Sequence, residues 1–264
     1  MDLQLRGRRA LVTGSSNGLG EAIAKRLATE GAAVVVHGRD RDRTVAVAKA
    51  ISDVGGDVSY AIGGLGTDEG ADAVHAEATA GGPVDILVNN VGAYDPSLGW
   101  SNVSAQDWAD LYNVNVLSGV RMIQRFVPGM RERRWGRVIQ ISSVTGEVPA
   151  ASQPHYAATN GARNSLAKSL ARDLKHTGVT SNAIAAGGIL TPTSRPHLVD
   201  LGRQNGWGQT WEEIEPRLVE ALAPNDIGRI GRVEEYADIA TFLASPLSGY
   251  ITAATFAVDG GWYG

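Results

Sequence analysis

The chain has 264 residues, of which 43% are hydrophobic and 20% are charged. This length fits one large domain with a sizeable core, and the net charge of -4 provides no broad basic field that would bind nucleic acid or an anionic membrane. Because the sequence contains no cysteine, disulfides, thiolate metal sites and cysteine nucleophiles are excluded.

Two further features of the sequence narrow the class of protein. No apolar run approaches the roughly 20 residues that a membrane span needs. Residues 1–9 lack the apolar core of a signal peptide and lead directly into a predicted strand. We therefore expect a cytoplasmic enzyme that acts on a small molecule, with neither nucleic acid nor a membrane as its partner.

Short β-branched segments alternate with longer amphipathic segments along nearly the whole chain. Strands are predicted over residues 10–12, 32–36, 58–62, 86–88, 138–141, 179–184 and 254–258. Helices are predicted over residues 20–30, 41–54, 67–80, 105–131, 156–176 and 233–243. This alternation predicts an α/β fold of the Rossmann type, in which residues 1–264 form a single domain around a doubly wound parallel sheet.

One segment departs from the alternation. Residues 187–226 contain proline, glycine and two tryptophans with weak periodicity, which predicts irregular structure. A segment of this length is often functional, so we expect residues 188–226, approximately, to form a lid over the substrate.

A glycine-rich segment joins the first predicted strand to the first predicted helix. Gly14 permits a tight turn there, Gly18 lets the backbone approach a pyrophosphate, and Gly20 lets the helix pack closely on the strand. The free N–H groups at the start of the helix then face the anion. The predicted pyrophosphate contacts are Gly14, Ser15, Ser16, Asn17, Gly18, Leu19 and Gly20. The alternative is a glycine-rich turn that binds no ligand.

Four motifs, in this order, resemble those of the short-chain dehydrogenase/reductase family. They are the segment from Thr13 to Gly20, Asn89-Asn90-Val91-Gly92, Ser143 thirteen residues before Tyr156, and Val258-Asp259-Gly260-Gly261. The resemblance covers essentially the whole chain, and it implies an NAD(P) cofactor, interconversion of alcohols and carbonyls, and a homodimer or homotetramer. It also implies cofactor contacts at Leu65, Asn90, Gly92, Gly187, Ile189 and Thr191.

The end of the second predicted strand bears on the choice between NAD(H) and NADP(H). A carboxylate there would bind the 2′-hydroxyl of the adenosine ribose, whereas an arginine would pair with a 2′-phosphate. Gly38 stands where NAD-preferring relatives carry Asp, and Arg39 follows it, so NADP(H) is the predicted cofactor. The alternative for Arg39 is a solvated side chain, neutralised within the alternating charges of residues 39–43. For His37 we expect a side chain that faces solvent.

Position 64 departs from the family pattern. Relatives usually carry Asp immediately before the residue that matches Leu65, where it binds the adenine amino group, and this chain carries Gly64. The predicted adenine contact at Gly64 is therefore reduced to its backbone.

The resemblance also implies a catalytic set of four residues. In it, Ser143 holds the substrate oxygen, Tyr156 exchanges the proton, and Asn115 orders a water relay from within its helix. The fourth member of the family's set is Lys, four residues after the tyrosine, and this chain has Asn160 at that position. Tyr156 and Asn160 are also implied to be cofactor contacts, the latter at the nicotinamide ribose.

Replacing the lysine by Asn160 removes a charge that favours the tyrosinate. A free tyrosine has a pKa of about 10, so about one part in a thousand is ionised at pH 7. Oxidation of an alcohol needs the tyrosinate as base, whereas reduction of a carbonyl needs the protonated form, which already dominates. We therefore expect an enzyme that reduces better than it oxidises. No other lysine can substitute, because Lys168 lies about 18 Å further along the predicted helix.

The substrate pocket is expected to include Tyr94, Val144 and Trp207. Packing against the body of the protein or a second subunit is the alternative for Trp207. Neither a cluster of Arg and Lys that would clamp a phosphorylated substrate nor a metal site with ligand spacing is found in the sequence. The sequence therefore favours a mid-sized apolar or aromatic substrate and no metal.

Three functions remain open on the sequence alone. The first is an NADP(H)-dependent reductase of a carbonyl, or of an imine or iminium. The second is a non-redox enzyme on the same fold, such as a dehydratase, isomerase or cyclase. The third is a dinucleotide-binding sensor without turnover, which has no evident need for both Ser143 and Tyr156.

Overall fold

The computed structural model describes residues 2–262, and within them the predicted alternation of strands and helices is present. The strands are β1 Arg9–Val12, β2 Ala33–Gly38, β3 Val58–Ile62, β4 Ile86–Asn89, β5 Gly136–Ser143, β6 Val179–Ala186, β7 Ile189–Leu190, β8 Gly231–Arg232 and β9 Thr255–Val258. The helices are α1 Gly18–Thr29, α2 Arg41–Asp53, α3 Asp68–Thr79, α4 Ala105–Tyr112, α5 Ser118–Glu132, α6 Pro154–Asp173, α7 Ser194–Gln204, α8 Trp211–Leu222 and α9 Val233–Ala244.

Seven of the strands form one parallel sheet in the order β3-β2-β1-β4-β5-β6-β9. The order reverses beside β1, so the chain winds first to one side of the sheet and then to the other. The predicted α/β fold of the Rossmann type, built as a single domain, is confirmed.

The sheet is buried on both faces because successive side chains of a strand point to opposite sides. In β1, Ala10 and Val12 pack against α1, α2 and α9, while Leu11 packs against α3 and α5. Each face thus contributes to its own apolar core, which explains why the strands read as nearly continuous hydrophobic runs.

The helix predicted over residues 105–131 is interrupted. Between α4 and α5, residues Asn113–Leu117 form a π-helical turn. Such turns are rare and frequently lie at functional sites. Asn115 sits in the middle of this one, so the residue implied to order a relay is displaced from regular helical geometry.

The prediction of irregular structure over residues 187–226 is wrong, because α7 and α8 occupy most of that segment. Ile214 and Leu218 lie one turn apart on α8 and are buried together with Val219 and Ile230 in a small separate core. This packing outweighs the low helix propensity of Pro216, which lies inside α8. Thr210 and Glu213 form a capping box at the start of α8. Their spacing of three residues is a sequence signal that could have indicated this helix.

None of the helices described between residues 2 and 262 combines the length and the apolar character needed to cross a membrane.

Candidate active site and cofactor cleft

A cleft of about 1120 Å³ opens at the carboxyl ends of β1, β2 and β4, where doubly wound sheets bind their ligands. We call it the cofactor cleft. The predicted cofactor residues that line it are Gly14, Ser16, Asn17, Leu19, Gly20, Arg39, Gly64, Leu65, Asn90 and Gly92. One cleft therefore joins predicted residues from four separate segments of the chain.

The glycine-rich loop has the geometry of a phosphate cradle. Gly14 and Gly18 have φ values of 66° and 57°, in the left-handed region that favours glycine. A Cβ at Gly20 would lie 2.4 Å from the Gly14 carbonyl oxygen, so only glycine fits where α1 meets the loop. The Asn90 side chain holds the loop from the other side, donating from Nδ2 to the carbonyls of Thr13 and Gly14 at 2.9 and 3.0 Å.

Ser15 supports this loop instead of facing the cleft. Its side chain is fully buried, and its hydroxyl donates to the Val12 carbonyl at 2.7 Å. Its backbone N–H donates to the His37 carbonyl at 2.8 Å. Both donors are already engaged, so the predicted cofactor contact of Ser15 is not supported by its hydrogen bonds.

His37 is buried, and the prediction that it faces solvent is wrong. Its Nδ1 accepts a hydrogen bond from the Gly14 N–H at 3.0 Å, which requires Nδ1 to be unprotonated. The hydrogen is therefore on Nε2, which donates to the Gly63 carbonyl at 3.1 Å. Burial lowers the pKa of His37 to about 4, so the ring is neutral at pH 7 and connects the glycine loop to the end of β3.

The end of β2 leaves no room for an aspartate in place of Gly38. A Cβ there would lie 2.4 Å from Thr44 Oγ1 and 2.8 Å from the Cβ of Ser16. The next side chain, Arg39, is exposed at the rim of the cleft. Within residues 2–262 no carboxylate pairs with Arg39, because Asp40 caps α2 and pairs with Arg43 instead. The structure therefore does not support the alternative in which neighbouring carboxylates neutralise Arg39.

Gly64 borders open space. A Cβ built on it meets no atom within 4 Å, so the Asp of the family pattern is missing here without any steric reason. The neighbouring Leu65 is buried, and its carbonyl accepts a hydrogen bond from Arg121 at 3.1 Å.

The loop after β6 approaches the glycine loop. The Gly187 N–H donates to the Val258 carbonyl at 2.9 Å, and Ile189 pairs with Gly231 in the two-stranded sheet. The methyl carbon of Thr191 lies 3.7 Å from the position of a Cβ on Gly18. These residues do not line the cofactor cleft as defined above, but Thr191 lies beside its phosphate loop.

Tyr156 lies in the first turn of α6, and its ring is tilted against that of Tyr94, with centroids 4.9 Å apart. Burial raises the pKa of Tyr94, and the charge of Tyr156 adds to that effect. Ser143 ends β5, and its Oγ lies 3.1 Å from the hydroxyl of Thr145. Val144 follows Ser143 and is buried.

The Asn115 side chain connects the cleft to α6. Its Oδ1 accepts from the Ala93 N–H at 2.7 Å, and its Nδ2 donates to the Ala93 carbonyl at 3.0 Å and to Thr159 Oγ1 at 3.1 Å. Ala93 lines the cofactor cleft, and Thr159 lies three residues after Tyr156. The π-helical turn thus fixes the position of the tyrosine's helix relative to the cleft.

Asn160 is buried on the same helix. Its Nδ2 donates to the Tyr156 carbonyl at 2.9 Å, so this side chain bonds to its own helix. Sequence reasoning missed a further residue, Arg163, whose guanidinium is buried beside Gly92. A helical wheel of α6 would have found it, since Arg163 lies seven residues after Tyr156 and shares its face.

Trp207 packs on the small core formed by α7 and α8, alongside Trp211. These contacts favour the packing alternative, and a contact of Trp207 with substrate stays a prediction. Among the side chains described, no group of three or more His, Asp or Glu is placed to hold a metal ion.

Comparison with known proteins agrees with this geometry. A model of the family described as short chain dehydrogenase matches residues 8–200. An uncharacterized oxidoreductase, YvaG, of Bacillus subtilis is 38% identical, over 99% of this chain and 98% of its own. The 3-oxoacyl-[acyl-carrier-protein] reductase FabG of Aquifex aeolicus is 32% identical, over the full length of both chains.

Two solved structures are similar over almost their whole length. A 3-oxoacyl (acyl-carrier-protein) reductase from Agrobacterium tumefaciens with NADP bound superposes with a TM-score of 0.88 at 36% identity, covering 98% of this chain and 96% of the other. L-Sorbose reductase from Gluconobacter frateurii, complexed with NADPH and L-sorbose, has a TM-score of 0.90 at 32% identity, covering 99% and 98%. Both structures contain the cofactor type that the sequence predicts.

The neutral His37 ring predicts a specific loss of stability in acid. Its pKa is about 4 in the folded protein and about 6.5 when unfolded, so its contribution is complete above pH 6.5 and is lost as the pH falls toward 4. We expect this one residue to lower the free energy of unfolding by about 3 kcal/mol across that interval. Urea unfolding at several pH values measures it.

The matched variant is His37→Asn, whose Oδ1 can accept from Gly14 but does not titrate. Its unfolding free energy should fall less steeply between pH 6.5 and 4 than that of the wild type. Parallel curves for the two proteins would contradict the assignment.

Proposed function

Because the chain belongs to the short-chain dehydrogenase/reductase family, we propose that it is an NADP(H)-dependent reductase of a carbonyl, or of an imine or iminium. The observation that carries this proposal is the bridge made by Asn115. It joins Ala93 in the cofactor cleft to Thr159 on α6, which brings the first turn of α6, with Tyr156, to the end of the cleft. This bridge supports a single site in which Tyr156 serves the cofactor cleft as proton donor.

The cradle fits a dinucleotide phosphate. Gly14, Gly18 and Gly20 leave the backbone bare where a pyrophosphate would lie, and Arg39 at the rim supports recognition of a 2′-phosphate. The space that an aspartate would need at position 38 is filled by Ser16 and Thr44, which disfavours NAD(H). The relatives whose structures contain NADP or NADPH support the same choice.

When bound, the reduced nicotinamide supplies a hydride to the substrate carbon. In our proposal the Ser143 hydroxyl holds the substrate oxygen, and the Tyr156 hydroxyl donates the proton that completes the alcohol. A free tyrosine is almost entirely protonated at pH 7, so the donor is ready for reduction. The reverse reaction needs the tyrosinate, and losing a lysine that shifts its pKa by 2 to 3 units removes roughly 3 to 4 kcal/mol of help. Asn160 brings no charge in return.

The surroundings of Tyr156 support an apolar or aromatic substrate of moderate size. Tyr94 packs at a tilt against the Tyr156 ring and is half-exposed, which supports an aromatic contact with a ligand. We propose that residues 188–226, with α7 and α8, act as the lid over this pocket. A cytoplasmic homodimer or homotetramer remains our expectation for its setting and assembly.

The cofactor proposal is tested by titrating tryptophan fluorescence with NADPH, NADP⁺, NADH and NAD⁺. The wild type should bind NADPH more tightly than NADH. Arg39→Ala should weaken the binding of NADPH about tenfold or more, because a charged hydrogen bond to the 2′-phosphate is lost. The binding of NADH should be unchanged. Arg41→Ala is the matched control, because Arg41 belongs to the same charged run but does not line the cleft. Equal losses in the two variants would contradict the role of Arg39.

The direction of the reaction is tested with a panel of carbonyl compounds and, for each one consumed, the matching alcohol. We expect the wild type to reduce faster than it oxidises at pH 7. Asn160→Lys should raise the oxidative rate relative to the reductive one by about tenfold or more, because the lysine favours tyrosinate. A wild type equally fast in both directions would contradict the proposal. Tight NADPH binding without consumption would favour a non-redox enzyme or a sensor.

A further inference from the structure

Arg163 places a positive charge inside the site that lacks its lysine. It follows Tyr156 by seven residues and Asn160 by three, so the three side chains share one face of α6. The side chain is buried, with 6% of its surface exposed. Helical side chains point back toward the N-terminus, and this one therefore extends toward the turn that carries Tyr156.

The guanidinium is held by backbone carbonyls from three elements. Nε donates to Asn115 in the π-helical turn and Nη1 donates to Ile141 in β5, both at 2.5 Å. Nη2 donates to Val91, which follows β4. A Cβ at Gly92 would lie 3.4 Å from both Nη atoms, so the cation lies directly behind Gly92, which lines the cofactor cleft.

No carboxylate neutralises this charge within residues 2–262. Burial lowers the pKa of Arg163 to about 10, which still leaves it charged at pH 7, and a charge on Tyr156 acts in the opposite direction and raises it. A buried positive charge without a carboxylate partner favours negative charge on groups that share its face of the helix.

We infer that Arg163 supplies part of the charge that a lysine at position 160 would bring, from one turn further along α6. This inference rests on the proposed function and deepens it. Arg163 touches neither Tyr156 nor the cleft directly, so it is a positioning residue. It fixes the carbonyls of Val91, Ile141 and Asn115, and it places a positive charge behind the site where Tyr156 would exchange its proton. It does not replace the lysine's contact with the nicotinamide ribose.

A second buried arginine, Arg137, serves as a control, because it shows what the loss of a buried arginine does to the core far from Tyr156. Arg137 in β5 also donates only to backbone carbonyls, those of Gly136, Gly178 and Ser245, and burial also lowers its pKa to about 10. Its neighbours are Arg8 and Trp135, at the opposite end of the strand from Ser143. Arg137 therefore resembles Arg163 in its burial, its hydrogen bonds to carbonyls and its charge, but it lies at the other end of the strand from the proposed active site.

Other ionisable groups lie on α6 and on the segments near its first turn, and all variants share them. They are Tyr94 and Asp95 in the loop after β4, Asp107 on α4, His155 on α6 and Glu147 after β5. None of them is altered below, so a difference between variants reports on the arginine.

The experiment compares Arg163→Gln, Arg163→Lys and Arg137→Gln by pH–rate profile for NADPH-dependent reduction and by ultraviolet titration of tyrosine ionisation. The first variant removes the charge and keeps two donors, and the second keeps the charge and loses the planar fork. Arg163→Gln should move the alkaline limb, and the titration of one tyrosine, upward by on the order of one pH unit. Arg163→Lys and Arg137→Gln should leave both near their wild-type positions, although all three variants are less stable to heat.

A purely structural role would give the same profile in all the variants and would overturn the inference. If Arg163→Gln does not fold, the difference between the titrations of the wild type and Tyr156→Phe decides the matter. A missing transition a unit or more below the free value of about 10 supports the inference, and a missing transition at about 10 overturns it. The ultraviolet titration needs neither substrate nor turnover. Failure to consume NADPH with any carbonyl would therefore count against the proposed function alone.

Discussion

Parallel strands that end inside a protein leave backbone groups without a partner, and the whole site is built on how this chain satisfies them. At the carboxyl edge of the sheet, β1, β2, β4 and β5 stop and their continuing loops must bury N–H and carbonyl groups. Four side chains meet that need. Asn90 serves the loop after β1, His37 joins that loop to the end of β3, Asn115 holds the loop after β4, and Arg163 gathers carbonyls from three elements.

The same constraint explains the shape of the cofactor cleft. Loops held by side chains from behind can present a bare backbone in front, and glycine is required where two backbones meet, as at Gly20 against the Gly14 carbonyl. At Gly38 the limit comes from Ser16 and Thr44, which fill the volume of a carboxylate. Exclusion of an aspartate from this position is therefore a packing property of the loop, while Arg39 adds the attraction for an extra phosphate.

The fold could be predicted from the sequence, because the strands of a parallel sheet are buried on both faces and therefore appear as apolar runs. The π-helical turn and the helices α7 and α8 could not be predicted in this way, since both depend on tertiary contacts. Residues 113–117 keep a helical pattern while changing their hydrogen bonds, and α7 and α8 depend on the packing of Ile214 and Leu218 with Ile230. Propensity alone underrates helices of that kind.

His37 and Arg163 were misjudged or missed for a related reason. A polar side chain is expected at the surface unless a partner is known, and the partners of both residues are backbone groups that carry no mark in the sequence. The predicted positions of Gly14, Arg39 and Tyr156 needed only their own spacing and a family pattern. The residues that hold them in place, His37 and Arg163, can be recognised only from the three-dimensional structure.

Asn160 and Arg163 are best understood together. Residues three apart on one face of a helix are neighbours, and like charges on neighbouring side chains repel each other. A lysine at 160 above a buried arginine at 163 would meet that repulsion with no carboxylate nearby. An uncharged Asn160 avoids it, and its Nδ2 bonds the helix instead. On our proposal, Asn160 and Arg163 form one arrangement, in which the positive charge lies one turn further along α6 than the family's lysine and is held by backbone carbonyls.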